Sequence, residues 1–132
     1  MAAISGDSVF SHICLGANDL DASTTFYDAV LAPLDIKNLG PFGDSIVLYG
    51  KDKPALLVLK PSNGEAPSGN GVTIGFAASS QAGVDAFHAA GLAVGGTCEG
   101  KPGPRNHLPD AYAAYLRDPA GSKVCAYTFA SA

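Results

Sequence analysis

The chain has 132 residues, 47% of them hydrophobic and 15% charged, with a net charge of −4; that describes one globular domain large enough to bury a core. An acidic balance excludes the basic face that nucleic acid requires. No apolar run approaches the roughly 20 residues of a membrane span, and the opening MAAISGDSVF has neither the basic start nor the apolar stretch of a signal peptide.

Residues before Ser8 read as a loose tail. Val9 to Gly16 suits a strand, with Phe10, His12 and Cys14 on one face and Ser11, Ile13 and Leu15 on the other. Asp19 is the expected N-cap of a helix over Leu20–Ala32, with Asp21 favourably placed in its first turn. Phe26, Val30 and Leu34 recur every four residues and give that helix its apolar stripe. Pro33 disfavours helical geometry at Ala32 and ends it. Three short strands follow, over Ile36–Leu39, Asp44–Tyr49 and Ala55–Leu59. PSNGEAPSGNG, residues 61–71, has the composition of a linker.

Val72–Ala78 then reads as a strand. Ser79 or Ser80 caps a second helix bearing Val84, Phe87 and Ala90, with Gly91 as its C-cap. Leu92–Gly95 is expected as a brief strand, and the three-proline segment Glu99–Asp110 as a long loop. Ala111–Arg117 and Val124–Phe129 are the last strands, joined by Asp118-Pro119-Ala120-Gly121 in the pattern of a type I turn. Cys125, Tyr127 and Phe129 share a face of the final strand.

These two halves are copies of one unit. With His12 set on Thr73, an offset of 61 (73 − 12), Ile13 falls on Ile74, Leu15 on Phe76, Ala17 on Ala78, Phe26 on Phe87 and Ala29 on Ala90. Strand, cap and helix keep register throughout, so the chain is predicted to be α+β, with two β-α-β-β-β repeats. The repeats run over about 8–60 and 72–130, separated by the 61–71 linker, within one domain. Cys14, Cys98 and Cys125 are odd in number and form no CxxC pair. That reads as free thiols in a reducing cytoplasm and argues against a structural zinc site.

The doubled β-α-β-β-β unit, FYDAVLAPL closing the first helix and DPAGSKV before the last strand together resemble the glyoxalase, bleomycin-resistance and extradiol-dioxygenase superfamily, also called the vicinal oxygen chelate superfamily. The resemblance implies curved mixed sheets around a shared cavity, and pairing into homodimers. It also implies a divalent metal held from the first and last strand of each repeat, usually by His and Glu. His12 matches that pattern. The other positions carry Thr73, Cys125 and, near the end of the first repeat, Leu56. One match in four disfavours a metal cofactor, since hard ions want anionic oxygens and two ligands rarely suffice for a soft one.

His12 is then either a hydrogen-bonded core histidine or a cavity residue able to act as a base. Thr73 and Cys125 are expected on the cavity wall, Cys125 as an inert buried thiol, and Tyr112 and Tyr127 as ligand-binding cavity wall or as core. Lys101, Arg105 and His107 fall in the predicted loop, either as a solvated surface or as a lid. As a lid the loop would border the cavity mouth with Arg105 or His107 reaching inward, Arg105 being the natural anchor for a carboxylate or phosphate. His88, next to Phe87, reads as a surface residue. The leading expectation is a cytoplasmic protein binding a small organic molecule between its sheets without a full metal site. The alternative is a metal-dependent lyase, isomerase or extradiol-type dioxygenase using His12.

Overall fold

A strand that buries Leu15 and leaves Cys14 exposed opens each half of the architecture's logic: alternate residues decide which side carries a helix. The computed structural model describes residues 9–130, so the N-terminal tail expectation lies outside the described residues. In order, the elements are β1 (Ile13–Gly16), α1 (Leu20–Leu31), a 3-10 turn (Ala32–Leu34), β2 (Lys37–Phe42), β3 (Ile46–Gly50), β4 (Pro54–Leu59), β5 (Thr73–Ala77), α2 (Gln81–Ala93), β6 (Thr97–Pro104), β7 (Tyr112–Arg117) and β8 (Lys123–Thr128). They form two four-stranded mixed sheets of identical design, β1-β4-β3-β2 and β5-β8-β7-β6. In each, the first strand pairs in parallel with the last and the other pairs are antiparallel.

Local chemistry sets the helix ends. Asp19 Oδ1 accepts from the backbone N–H of Asp21 at 3.0 Å and of Ala22 at 3.2 Å, satisfying donors with no partner inside the helix. Ser80 caps α2 by accepting from Gly83 N–H at 3.0 Å. Gly91 is not a cap: α2 runs through it to Ala93. A Cβ there would lie 2.4 Å from Leu116 Cδ1 and 3.1 Å from Val30 Cγ1. Its lack of a side chain lets α2 approach both β7 and α1.

Further expectations change. Leu92–Gly95, read as a brief strand, is the end of α2 and the turn after it, and the segment read as a long loop holds most of β6, which pairs with β7 through a register broken near Gly100 and Gly103. Its prolines and glycines hide a strand on the sheet edge, where missing donors are tolerated. His88 is not a surface residue: it is buried, and its Nε2 lies 3.2 Å from Cys98 Sγ. Burial holds its pKa below the ordinary imidazole value, with Asp85 pulling the other way.

The helix-bearing sides of both sheets meet in one core. Phe26, Tyr27, Val30 and Leu31 of α1, Val84 and Phe87 of α2, Leu15, Leu56 and Val58 of the first sheet and Leu116, Val124 and Ala126 of the second all belong to it. Tyr27 also donates to Asp118 Oδ2 at 2.6 Å, tying α1 of the first repeat to the β7–β8 turn of the second. The opposite face of each sheet is therefore turned away from the core.

Candidate functional site

Alternation along β7 and β8 puts Tyr115 and Arg117, and Lys123, Cys125 and Tyr127, on the outward face of the second sheet. Register sets Cys125 between Gly75 and Tyr115, and Tyr127 between Ala77 and Ala113. Tyr115 and Tyr127 are thus diagonal neighbours; their hydroxyls are hydrogen-bonded and their rings meet edge to face, centroids 5.9 Å apart. Two cations lie over the Tyr115 ring, Arg105 Cζ at 5.4 Å and Lys123 Nζ at 5.3 Å from its centroid, within the range of cation–π attraction.

Arg105 is held there by the backbone. Its Nη1 donates to the carbonyls of Gly103 (3.0 Å) and Pro104 (3.2 Å), and its Nη2 to that of Lys101 (2.8 Å). Gly100 leaves room for it: a Cβ at that position would stand 3.2 Å from Arg105 Nη2 and 3.2 Å from Tyr115 Cδ1. Burial pushes the Cys125 thiol up to about 11, against the opposing pull of Lys123, a hydrogen bond from Tyr115, and Arg105. Burial first, then the bond to Tyr127, also raises Tyr115 above the ordinary phenol value. At neutral pH both groups keep their protons.

The outward face of the first sheet is different. Register sets Leu57 beside Cys14 and Leu48, and Leu59 beside Gly16 and Ile46, so this face is apolar. His12 precedes β1, is exposed, and is hydrogen-bonded to Ser11 Oγ at 3.0 Å. Cys14 of the first repeat and Val72 and Lys123 of the second border one crevice of about 140 Å³, which Pro67 and Ser68 also line.

The structure thus brings Cys125 and Tyr127 together with Arg105, and Thr73 sits exposed at the head of β5 beside Lys123. His107 is exposed in the turn after β6, without a contact to the cluster among the described residues. Tyr112, read as cavity wall or core, packs on the core side and donates to Asp85 Oδ1 of α2 at 2.6 Å. Leu56, taken as the nearest thing to a ligand position on β4, faces the core; Ala55 and Leu57 occupy the outward positions. Both corrections have one cause, a strand parity that shifts by a single residue. Tyr115, Lys123 and Gly100 escaped sequence reasoning, although the i, i+2, i+4 spacing of Lys123, Cys125 and Tyr127 is a usable signal.

The donor set does not fit a divalent metal. The four strand positions offer His12, an aliphatic residue on β4, the neutral hydroxyl of Thr73 and the thiol of Cys125, with no carboxylate among them. No group of three His, Cys, Asp or Glu gathers among the described residues. Metal ligation needs thiolate or carboxylate in such places.

No family model and no curated protein matches the sequence. Solved structures do. A glyoxalase/bleomycin resistance protein from Albidiferax ferrireducens is 49% identical, with a TM-score of 0.80 over 91% of this chain and 98% of that one. Lactoylglutathione lyase from Agrobacterium tumefaciens shares 24% identity, with a TM-score of 0.63 over 92% and 94%. The fosfomycin resistance protein FosX from Mesorhizobium loti shares 15%, with a TM-score of 0.66 over 93% of each chain. The last two likenesses are of fold alone.

Proposed function

This chain belongs to the glyoxalase/bleomycin resistance family, and from that premise we propose that it binds a small organic molecule on the outward face of its second sheet, without a family-type metal. One observation carries the reading: Arg105, Tyr115, Lys123, Cys125 and Tyr127 form a connected polar cluster on a face that the core does not use. A solvated sheet face has no structural need to fix two cations over a phenol. The reading of His12 as a catalytic base of a metalloenzyme loses its support, because no other donor suited to a metal accompanies it.

The other wall of the cavity is the leucine-lined face of the first sheet, and it comes from a second copy. Helices of both repeats pack into one core, so each sheet of a single chain turns its outward face to solvent. A homodimer covers the apolar Leu48, Leu57 and Leu59 by laying the first sheet of one copy over the second sheet of its partner. Three unpaired thiols suit a reducing, cytoplasmic setting.

Backbone amide NMR with a fragment library tests the binding face. Ligand-induced shifts are expected at Gly75, Tyr115, Lys123, Cys125 and Tyr127; hits confined to other surfaces refute the proposal. Light scattering tests the assembly: the chain should be a dimer, and Leu57→Asp a monomer.

A further inference from the structure

We propose that the ligand of this face is a small organic oxyanion, carrying a carboxylate or phosphonate group that binds between Lys123 and the Tyr115–Tyr127 hydroxyls. The inference rests on the binding reading above and adds the chemical class. It follows from counting donors and acceptors.

Every side-chain polar group of the cluster offers a hydrogen. Lys123 has three N–H donors and no acceptor, and Arg105 has five donors and no acceptor. Arg105 directs three hydrogen bonds to backbone carbonyls, which fix its position but leave its positive charge in place. Tyr115 and Tyr127 carry two hydroxyl hydrogens, and the hydrogen bond between them uses one. The second lies against Cys125, where a ligand oxygen can compete with the thiol for it. Cys125, protonated at neutral pH, adds a weak S–H donor.

The compensating acceptors are missing. Of the carboxylates near this end of the sheet, Glu99 is held by Arg117 Nε at 2.9 Å, and Asp118 is buried and taken up by the Tyr27 hydroxyl and its own turn. Among the described residues, neither Arg105 nor Lys123 has a carboxylate within salt-bridge distance. Among the described residues, two cations therefore converge on the paired phenols with no anion between them. A chain whose net charge is −4 nonetheless concentrates uncompensated positive charge here. A neutral ligand would leave it unanswered; an oxyanion accepts from Lys123 and takes a phenol hydrogen from the weakly accepting thiol, and charge-assisted bonds of this kind are the strong ones.

The test uses matched pairs: aromatic and aliphatic carboxylates and phosphonates, each with its neutral amide, titrated by backbone amide NMR against the full chain. Acids are expected to bind at least about tenfold more tightly than their amides, as a charged hydrogen bond implies. Their affinity should fall with added salt. Lys123→Gln should cost the acids about tenfold and leave the amides unchanged, and its unaltered amide spectrum away from β8 controls for folding. If amides bind this face as tightly as acids, or Lys123→Gln weakens both alike, the oxyanion inference falls while the binding face stands. If neither class shifts residues of β7 and β8, both fall.

Discussion

Tyr27→Phe is the most informative single change, because it removes one oxygen from the contact that joins the two repeats. Tyr27 is fully buried and Asp118 is 4% exposed; the phenol donates to Asp118 Oδ2 at 2.6 Å. Oδ1 of the same carboxylate accepts from Ala120 N–H at 2.9 Å and Ser122 N–H at 2.8 Å, so the aspartate also organises the β7–β8 turn. A hydrogen bond to a charged group contributes about 1.5–3 kcal/mol, and its loss here leaves a buried carboxylate oxygen without its donor. We expect a loss of about 2 kcal/mol. At roughly 2.1 cal/mol/K of unfolding entropy per residue, 132 residues give about 0.28 kcal/mol/K, so Tm should drop by about 7 °C. The pH dependence sharpens the test. Burial raises the pKa of Asp118 above the usual 3.8, while the Tyr27 bond and the turn N–H groups hold it down. A raised carboxyl contributes stability that is fully present below its unfolded pKa and is lost as pH rises through its folded pKa. Without Tyr27 that folded pKa rises further, so the deficit of the variant should be full at pH 7–8 and shrink as pH falls towards 4. Thermal melts followed by circular dichroism at pH 4, 5, 6 and 7.5 measure this. A Tm unchanged at pH 7.5, or a deficit of equal size at every pH, refutes the argument.

Gly91→Ala should destabilise by about 1–3 kcal/mol through overpacking against Leu116 and Val30, although alanine is the better helix former; a stabilised variant in urea unfolding would show that the helix approach is looser than 2.4 Å implies. Mn²⁺, Fe²⁺, Zn²⁺ or Ni²⁺ should leave Tm nearly unchanged, since only tight binding to the folded state raises it. A rise of many degrees that vanishes in His12→Ala would restore the metalloenzyme reading. Of the three thiols, exposed Cys14 and Cys98 should react with Ellman's reagent at pH 8 well before buried Cys125, whose pKa is pushed up to about 11. Three thiols reacting at one rate would contradict that environment.

The repeat, both helices and their N-caps, and the Asp118–Gly121 turn were legible in sequence because each is governed by neighbours a few residues away. Asp19 and Ser80 satisfy their own helix N–H groups, Pro33 ends its own helix, and Phe26 and Phe87 mark the same stripe in both copies. Membership of the family was visible for the same reason, as an order of local units. Of the residues named from sequence, Cys125, Tyr127 and Arg105 lie in the cluster on the outward face, Tyr112 and Leu56 lie on the core side, and Tyr115 went unnamed. Alternation tells which residues share a side of a strand, not which side meets the helices; that depends on register with β3, β6 and β8, set by residues distant in the chain. β6 shows the same limit, since a Gly- and Pro-rich stretch becomes a strand only because β7 supplies its pairing and because Gly100 leaves space for Arg105 over Tyr115. The sequence by itself determined the repeated unit and the fold. The convergence of two cations, two phenols and a thiol on one outward face was decided by tertiary structure, because it takes cross-strand register and the packing of both helices into one core to say which way those side chains point.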